Sequence, residues 1–209
     1  YHDKELFEIC VALKESDKSV LVDNAYQGLG SGSYRDDAQM IMFLDQMKVP
    51  YMVASSCSKN IGLYGQRLGS LILALGGYGD ERETLDSNIR ALIRSQYSSP
   101  PMYGSLIAEK IFDQQGELFN EWCEECEEIV DHLKSTRELL NYHLKDEGVN
   151  WNGLLDSEGL FYLSPITAEQ SEKMISDHAV YVLANGRVNI AGLSGINEIK
   201  QFVKAVCSL

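Results

Sequence analysis

The stretch SSCSKNIGLYGQRLG, Ser55–Gly69, sets one lysine among small hydroxyls and glycines. An apolar run, Val49 to Ala54, precedes it and reads as a buried strand. Ser55, Ser56, Ser58, Gly62, Gly65 and Gly69 surround Lys59, and Arg67 follows eight positions on. No carboxylate lies within the stretch to pair with the lysine. A lysine attacks an aldehyde only when a fraction of it is neutral, and desolvation or a nearby cation produces that fraction. Arg67 is a fixed cation close in sequence. Ser56, Ser58 and Arg67 together can hold a dianionic phosphate, the serines donating hydrogen bonds and the arginine a fork. An aldehyde that carries a phosphate, pyridoxal 5′-phosphate, meets both demands. The plain alternative is a solvated loop lysine.

That cofactor asks for two further groups. Its pyridine nitrogen must stay protonated, which a carboxylate ensures, and its phenolic oxygen needs a donor. LVDNAYQG, residues 21–28, offers both. Asp23 ends a short β-rich run, and ligand crevices form at the carboxyl ends of parallel strands. Tyr26 lies three residues later in the following loop. Taken alone, Asp23 also reads as a turn or cap residue. The two motifs together point to one pyridine ring bridging Asp23 and Lys59.

The composition narrows the function classes. The chain has 209 residues, room for one domain or one and a half. Hydrophobic residues make up 44 %, enough for a core. The net charge of -13, from 31 acidic and 18 basic side chains, repels phosphate backbones and anionic membranes. Nucleic acid and membrane are therefore excluded as expected partners. No apolar run is long enough to span a bilayer, and no secretory signal opens the chain. Five cysteines show no disulfide spacing, which points to a reducing, cytoplasmic setting. The first residue is Tyr1 rather than Met, so the chain is expected to begin inside a longer gene product or to have been cleaved.

Along the chain, residues 3–16 place Leu6, Ile9, Cys10 and Leu13 on one helical face. SVLVD, VPYMVASS and RLGSLILAL read as strands, the third closed by Gly76 and Gly77, and RDDAQMIMFLDQM as a helix. Strands alternating with helices predict an α/β fold with a mostly parallel, covered sheet. Helices follow over DERETLDSNIRALIRSQY, stopped by Pro100 and Pro101, and over MYGSLIAEKIF. From Leu118 to about Leu144 runs one long acidic amphipathic helix whose buried face is marked by Trp122, Cys126, Ile129, Val130 and Leu133. GLFYLSPIT and a short helix come next. AVYVLANGRVNIAGL reads as two strands around the turn pair Asn185-Gly186, before a last helix over 195–207. The predicted division is a large α/β part over 1–117 and the long helix with a smaller α+β domain over 118–209.

DNAYQG, SSCSKNIGLYGQRLG, SQYSSPP and NGRVNIAGL, in this order, resemble the successive signature blocks of aspartate aminotransferases. The resemblance covers the whole chain. It implies a class I pyridoxal-phosphate enzyme, here the C-terminal part, moving an amino group between aspartate and 2-oxoglutarate. Lys59 would bind the cofactor aldehyde covalently and then move the proton between Cα and C4′. Asp23 would pair with the pyridinium nitrogen, Tyr26 would donate to the ring oxygen, and Ser56, Ser58 and Arg67 would hold the phosphate. Arg187 matches the arginine that clamps the substrate α-carboxylate. Arg94 matches the one that reaches across a homodimer for the distal carboxylate, and Phe161 an aromatic lining the substrate side. Tyr64 takes a supporting place. Outside the resemblance, Arg94 reads as a surface arginine, Arg187 as a basic residue after a turn and Phe161 as core.

The chain departs from the family at Ser98-Ser99-Pro100-Pro101, where an asparagine amide is lost, and at Met102-Tyr103-Gly104. The front half of the family, with further cofactor contacts, is absent, so the isolated chain is expected to be inactive. Two other readings stand beside the first: an aromatic amino-acid aminotransferase, and a non-catalytic packing or dimerisation module. GLGSG, 28–32, lacks the spacing of a dinucleotide loop. CEEC, 123–126, sits mid-helix without a second pair, so no metal is expected.

Overall fold

The apolar runs that end in Asp, Ser or Gly form strands in the computed structural model, which describes residues 3–16, 18–76 and 79–209. Strands β1 (Val20–Asn24), β2 (Tyr51–Ser56) and β3 (Gly69–Ala74) make one sheet in that order. β1 and β2 run parallel, with Val20 opposite Tyr51, Val22 opposite Val53 and Asp23 opposite Ala54. β3 runs antiparallel to β2, so the third strand departs from the expected parallel pattern. A parallel return needs a crossover that carries the chain back along the sheet, usually a full helix, whereas the 57–68 connection holds only short helical turns and folds back on itself through Cys57 N to Leu68 O. Gly77, expected to close β3 with Gly76, lies outside the described residues, as does Tyr1.

Helices α1 (Asp3–Glu15) and α2 (Gln39–Gln46) pack on each other and cover one face of this sheet. Cys10 and Leu44 are fully buried there with Val20, Val49, Tyr51 and Val53. Leu13 joins this cluster, whereas Ile9, expected on the same face, is exposed. A four-residue helix, α3 (Cys57–Asn60), follows β2 directly. Helices α4 (Arg82–Tyr97) and α5 (Tyr103–Ile111) lie on either side of the Pro100-Pro101 break.

The long helix α6 runs Glu117–Asp146, about 45 Å of helix at 1.5 Å per residue. Its buried stripe is Trp122, Cys126, Val130, Leu133, Arg137, Leu140 and Leu144, one side chain every three or four residues. Ile129 does not belong to it: at 43 % exposure it lies off the stripe, which near that turn passes through Cys126 and Val130.

The chain divides into two compact units, Tyr1–Gly28 with Ser33–Cys126, and Leu29–Gly32 with Glu127–Leu209. In the second unit, β4 (Phe161–Leu163) pairs antiparallel with β5 (Arg187–Asn189), Tyr162 opposite Val188. Helices α7 (Ala168–His178) and α8 (Ile196–Cys207) complete it. Thr167 and Gln170 close the start of α7 with a reciprocal capping box. Ile199, Phe202, Val203 and Val206 of α8 pack with Leu140, Leu144, Trp151 and Ile190 into one core. Burying each such side chain stabilises by about 1.5–3 kcal/mol.

The expected hairpin around Asn185-Gly186 is not formed, because residues 179–183 are not a strand and β5 takes β4 as its partner. Gly186 serves another purpose. Its φ is +79°, and a Cβ there would stand 2.6 Å from Ser164 O and 2.8 Å from Ile166 O. Only glycine lets the chain pass so close.

Candidate active site

β1 and β2 present their carboxyl ends side by side. Val20 and Val22 face the helices with Tyr51 and Val53, so strand alternation turns Leu21 and Asp23 to the opposite face with Met52, Ala54 and Ser56. Asp23 and Ser56 therefore share the sheet face that the α1–α2 layer leaves open. Leu21, on that same face, is exposed.

Past Ser56 the chain turns at once into α3. Ser56 is extended and caps the helix, its Oγ accepting from Ser58 N at 3.2 Å. Accepting uses a lone pair, so the hydroxyl proton of Ser56 is left to donate. Ser58 is buried inside the turn. Two backbone bonds close the turn on itself, Cys57 N to Leu68 O at 3.0 Å and Leu63 N to Cys57 O at 3.1 Å. Gly69 completes it: a Cβ at that position would meet Ser55 O at 2.4 Å.

This turn aims Lys59, which is half-buried, at the loop after β1. Its Nζ lies 5.4 Å from the centroid of the Tyr26 ring, within cation–π range. The loop that carries Tyr26 is itself braced. Asn24 Nδ2 donates to Gln27 Oε1 at 2.8 Å, Gln27 Nε2 donates to Tyr34 O at 2.8 Å, and Gly28 N donates to Asp37 Oδ2 at 2.7 Å.

Arg67 adopts a left-handed backbone, φ +50°, uncommon for a side chain of its size. It is exposed, and its guanidinium donates to Tyr64 O at 3.3 Å. Such a conformation persists where surrounding bonds over-determine it. Arg94, on the last turn of α4, donates to the Ser98 hydroxyl, and Ser98 has a positive φ of +66°.

In the second unit, the Arg187 guanidinium lies over the Phe161 ring, 4.6 Å from its centroid. β4 and β5 bring them together: Phe161 is paired with Asn189 and Leu163 with Arg187, so the two side chains are diagonal neighbours.

The structure thus joins Lys59 to Tyr26, sets Asp23 and Ser56 on one face, links Ser56 to Ser58 and stacks Arg187 on Phe161. It holds Arg67 against Tyr64 and Arg94 against Ser98. Several supporting residues escape sequence reasoning. Trp122, read there only as part of a buried stripe, donates from Nε1 to Asn60 O at 2.8 Å and so buttresses the lysine turn. Asn60 Oδ1 is buried with no partner among the described residues. The neighbour of Lys59 in sequence is the one signal that could have marked Asn60.

Of the CEEC cysteines, Cys126 is buried and Cys123 half-buried. Burial, then Cys123, Asp37 and Glu125, push the Cys126 thiol up to about 11. Among the described residues, no helix is long and apolar enough to cross a membrane.

A family model described as aminotransferase class I and II matches residues 1–206. The mitochondrial aspartate aminotransferase of Dictyostelium discoideum is 33 % identical over 208 residues, 99 % of this chain and 47 % of that protein. The crystallised aspartate aminotransferase of Saccharomyces cerevisiae cytoplasm superposes with a TM-score of 0.93 at 28 % identity, over 99 % of this chain and 52 % of that one. An aromatic-amino-acid aminotransferase of Burkholderia pseudomallei, covalently bound to pyridoxal phosphate, superposes at 0.91 with 26 % identity, over 100 % and 52 %. The chain spans about half the length of the curated relatives it matches.

Proposed function

Since the chain belongs to the class I and II aminotransferases, we propose that it serves pyridoxal 5′-phosphate-dependent transfer of an amino group between aspartate and 2-oxoglutarate, yielding oxaloacetate and glutamate. The observation that carries this reading is the amine of Lys59 held 5.4 Å over the Tyr26 ring, beside the carboxyl ends of two parallel strands.

The donor set fits the cofactor: an amine for the aldehyde, a carboxylate for the ring nitrogen, a phenol for the ring oxygen, hydroxyls and a guanidinium for the phosphate. When bound, the cofactor supplies an electron-withdrawing ring that acidifies the substrate Cα–H. Lys59 would hold the cofactor through its aldehyde, and its amine would be the base that moves the substrate Cα proton. Asp23 keeps the proton on the ring nitrogen. Tyr26 donates to the ring oxygen. Ser56, Ser58 and Arg67 hold the phosphate. Arg187, oriented by Phe161, takes the α-carboxylate, and Arg94 takes the distal carboxylate of a substrate bound to the neighbouring subunit of a homodimer. In this reading residues 1–117 are the cofactor-binding part and 118–209 the smaller domain. Five cysteines with no disulfide among them suit a reducing compartment, here the cytoplasm.

A second reading, an aromatic amino-acid aminotransferase, is favoured by the likeness to the Burkholderia pseudomallei structure. A third, a non-catalytic packing module, makes no use of the Lys59–Tyr26 contact.

The test is to add pyridoxal 5′-phosphate, reduce with borohydride and map the modified peptide by mass. A single adduct on Lys59, lost in Lys59→Ala along with a visible absorption band, is expected. Labelling scattered over surface lysines would overturn the assignment. In the natural gene product that carries this chain, kcat/KM for aspartate is expected to exceed that for phenylalanine. Arg94→Ala should lower the aspartate value by about 10–100-fold, the loss of a charge-assisted pair. The reverse preference would install the aromatic reading.

A further inference from the structure

Arg137 stands where the pattern of its helix calls for an apolar side chain. It lies between Leu133 and Leu140 in the buried stripe of α6, and it is 2 % exposed. Among the described residues no carboxylate comes within salt-bridge reach of it. Its partners are neutral: Nε donates to Ser157 Oγ at 3.1 Å and Nη2 donates to Gly159 O. Burial pushes its pKa down, and the charge of Glu158 works in the opposite direction. A buried cation on neutral acceptors is a costly device for holding two elements together, and an apolar residue would fill the stripe more simply.

What it holds is the approach to β4. Ser157 and Gly159 lie on the loop between Leu154 and Phe161, and Ser157 Oγ also donates back to Leu154 O at 2.8 Å. Gly159 is left-handed at φ +75°, and Leu160 O then accepts from Ile190 N at 2.8 Å, tying the loop end to the chain beyond β5. Phe161 is the next residue, and its ring carries the Arg187 guanidinium. The chain of contact runs from Arg137 through Gly159 O to Phe161 and Arg187.

We propose that Arg137 is a positioning residue: it clamps the 157–159 turn to α6, fixes the Phe161 ring and through that ring sets Arg187 for a substrate carboxylate. The last step rests on the reading of Arg187 given above. The clamp itself does not.

The two are separated by a readout that needs neither cofactor nor turnover. Side-chain protons of an arginine lying over an aromatic ring are shifted upfield in NMR. Arg187 is assigned with Arg187→Lys, and Phe161→Leu provides the unshifted reference. In Arg137→Met more than half of the Arg187 upfield displacement should vanish. Arg137→Lys, which keeps the charge and can satisfy one acceptor, should recover part of it. A residue that merely stabilises the fold would lower the melting temperature and leave the Arg187 resonance in place, and that result in folded Arg137→Met overturns the clamp. If Arg137→Met fails to fold, Ser157→Ala decides, because it deletes one of the two acceptors of Arg137 and, besides that, only the hydroxyl's own bond to Leu154 O: a partial loss of displacement upholds the proposal and an unchanged resonance overturns it. In the natural gene product, Arg137→Lys should raise KM for the amino acid by about tenfold and leave kcat within about twofold, since misaiming Arg187 weakens binding. A moved resonance with unchanged KM would uphold the clamp and remove Arg187 from carboxylate binding.

Discussion

Lys59 extends its Nζ to 5.4 Å from the centroid of the Tyr26 ring, an ammonium over an aromatic face. At a partly exposed site such a contact contributes about 0.5–1 kcal/mol. Tyr26→Phe keeps the ring and Tyr26→Ala removes it. The rate of Lys59 acylation by a water-soluble reagent, read by peptide mass mapping, should stay near the parent value in Tyr26→Phe. It should rise about two- to fivefold in Tyr26→Ala, the rate equivalent of that contact. Equal rates in the two variants would show that the ring does not hold the lysine.

The glycines of the lysine turn make a graded stability test. At Gly69 a Cβ would stand 2.4 Å from the Ser55 carbonyl, so β2 and β3 would have to part where Ser56 pairs with Gly69. Gly69→Ala should cost about 1–3 kcal/mol, the range for overpacking. Gly62 has open space but a φ of +67°, and Gly62→Ala should cost about 1–2 kcal/mol from the backbone alone. Gly65 has neither constraint, and Gly65→Ala should fall within about 0.5 kcal/mol of the parent. Urea unfolding of the three variants checks the order, and a Gly69→Ala as stable as Gly65→Ala would contradict the close approach.

What the sequence made legible follows from what short-range patterns encode. Apolar runs ending at Asp23, Ser56 and Leu75 mark strands because small and polar residues interrupt burial there. Their direction is not local information, and β3 turns antiparallel because the 57–68 connection closes through Cys57 N to Leu68 O. Asn185-Gly186 carries a hairpin signal, yet the glycine is there to let Ser164 O and Ile166 O approach. Arg137 is hidden from periodicity altogether, since a charge in a helix reads as solvent-facing until the chain supplies Ser157 Oγ and Gly159 O as acceptors. The Lys59 turn is the opposite case. Its serines and glycines are each tied to a local requirement, Ser56 as a cap and Gly69 as a gap, so the requirement shows in the residues themselves.

The Cys126 thiol gives the fold a pH signature. Its folded value is raised to about 11 from an ordinary 9.0, chiefly by burial and next by Cys123. A raised folded pKa means that the folded state keeps the proton longer than the unfolded chain. The associated stability is therefore complete below pH 9 and is lost as the pH climbs from 9 to about 11. Over that window the cysteine should steepen the fall in unfolding free energy by up to about 1.4 kcal/mol per pH unit. Cys126→Ala should remove that part of the slope while leaving the neutral-pH curve displaced by a constant. Parallel slopes in parent and variant above pH 9 would refute it.

Trp122 and Asn60 separate a backbone acceptor from a side-chain one. The indole Nε1 donates to the Asn60 main-chain carbonyl at 2.8 Å, so this bond does not depend on the asparagine side chain. The Oδ1 of that side chain is buried without a partner among the described residues. Trp122→Phe removes the donor and leaves a part-buried carbonyl without it, a loss of about 1 kcal/mol or more, on top of the ring volume given up against Phe112, Phe119 and Tyr34. Asn60→Ala keeps the indole bond and removes an unpaired polar atom, so it should be near neutral or slightly stabilising. Because α3 carries both Asn60 and Lys59, Trp122→Phe should also speed acylation of Lys59, whereas Asn60→Ala should not. Denaturant unfolding and the same labelling assay measure both. An Asn60→Ala that loses as much stability as Trp122→Phe would mean that the amide oxygen, and not the carbonyl, anchors the lysine turn.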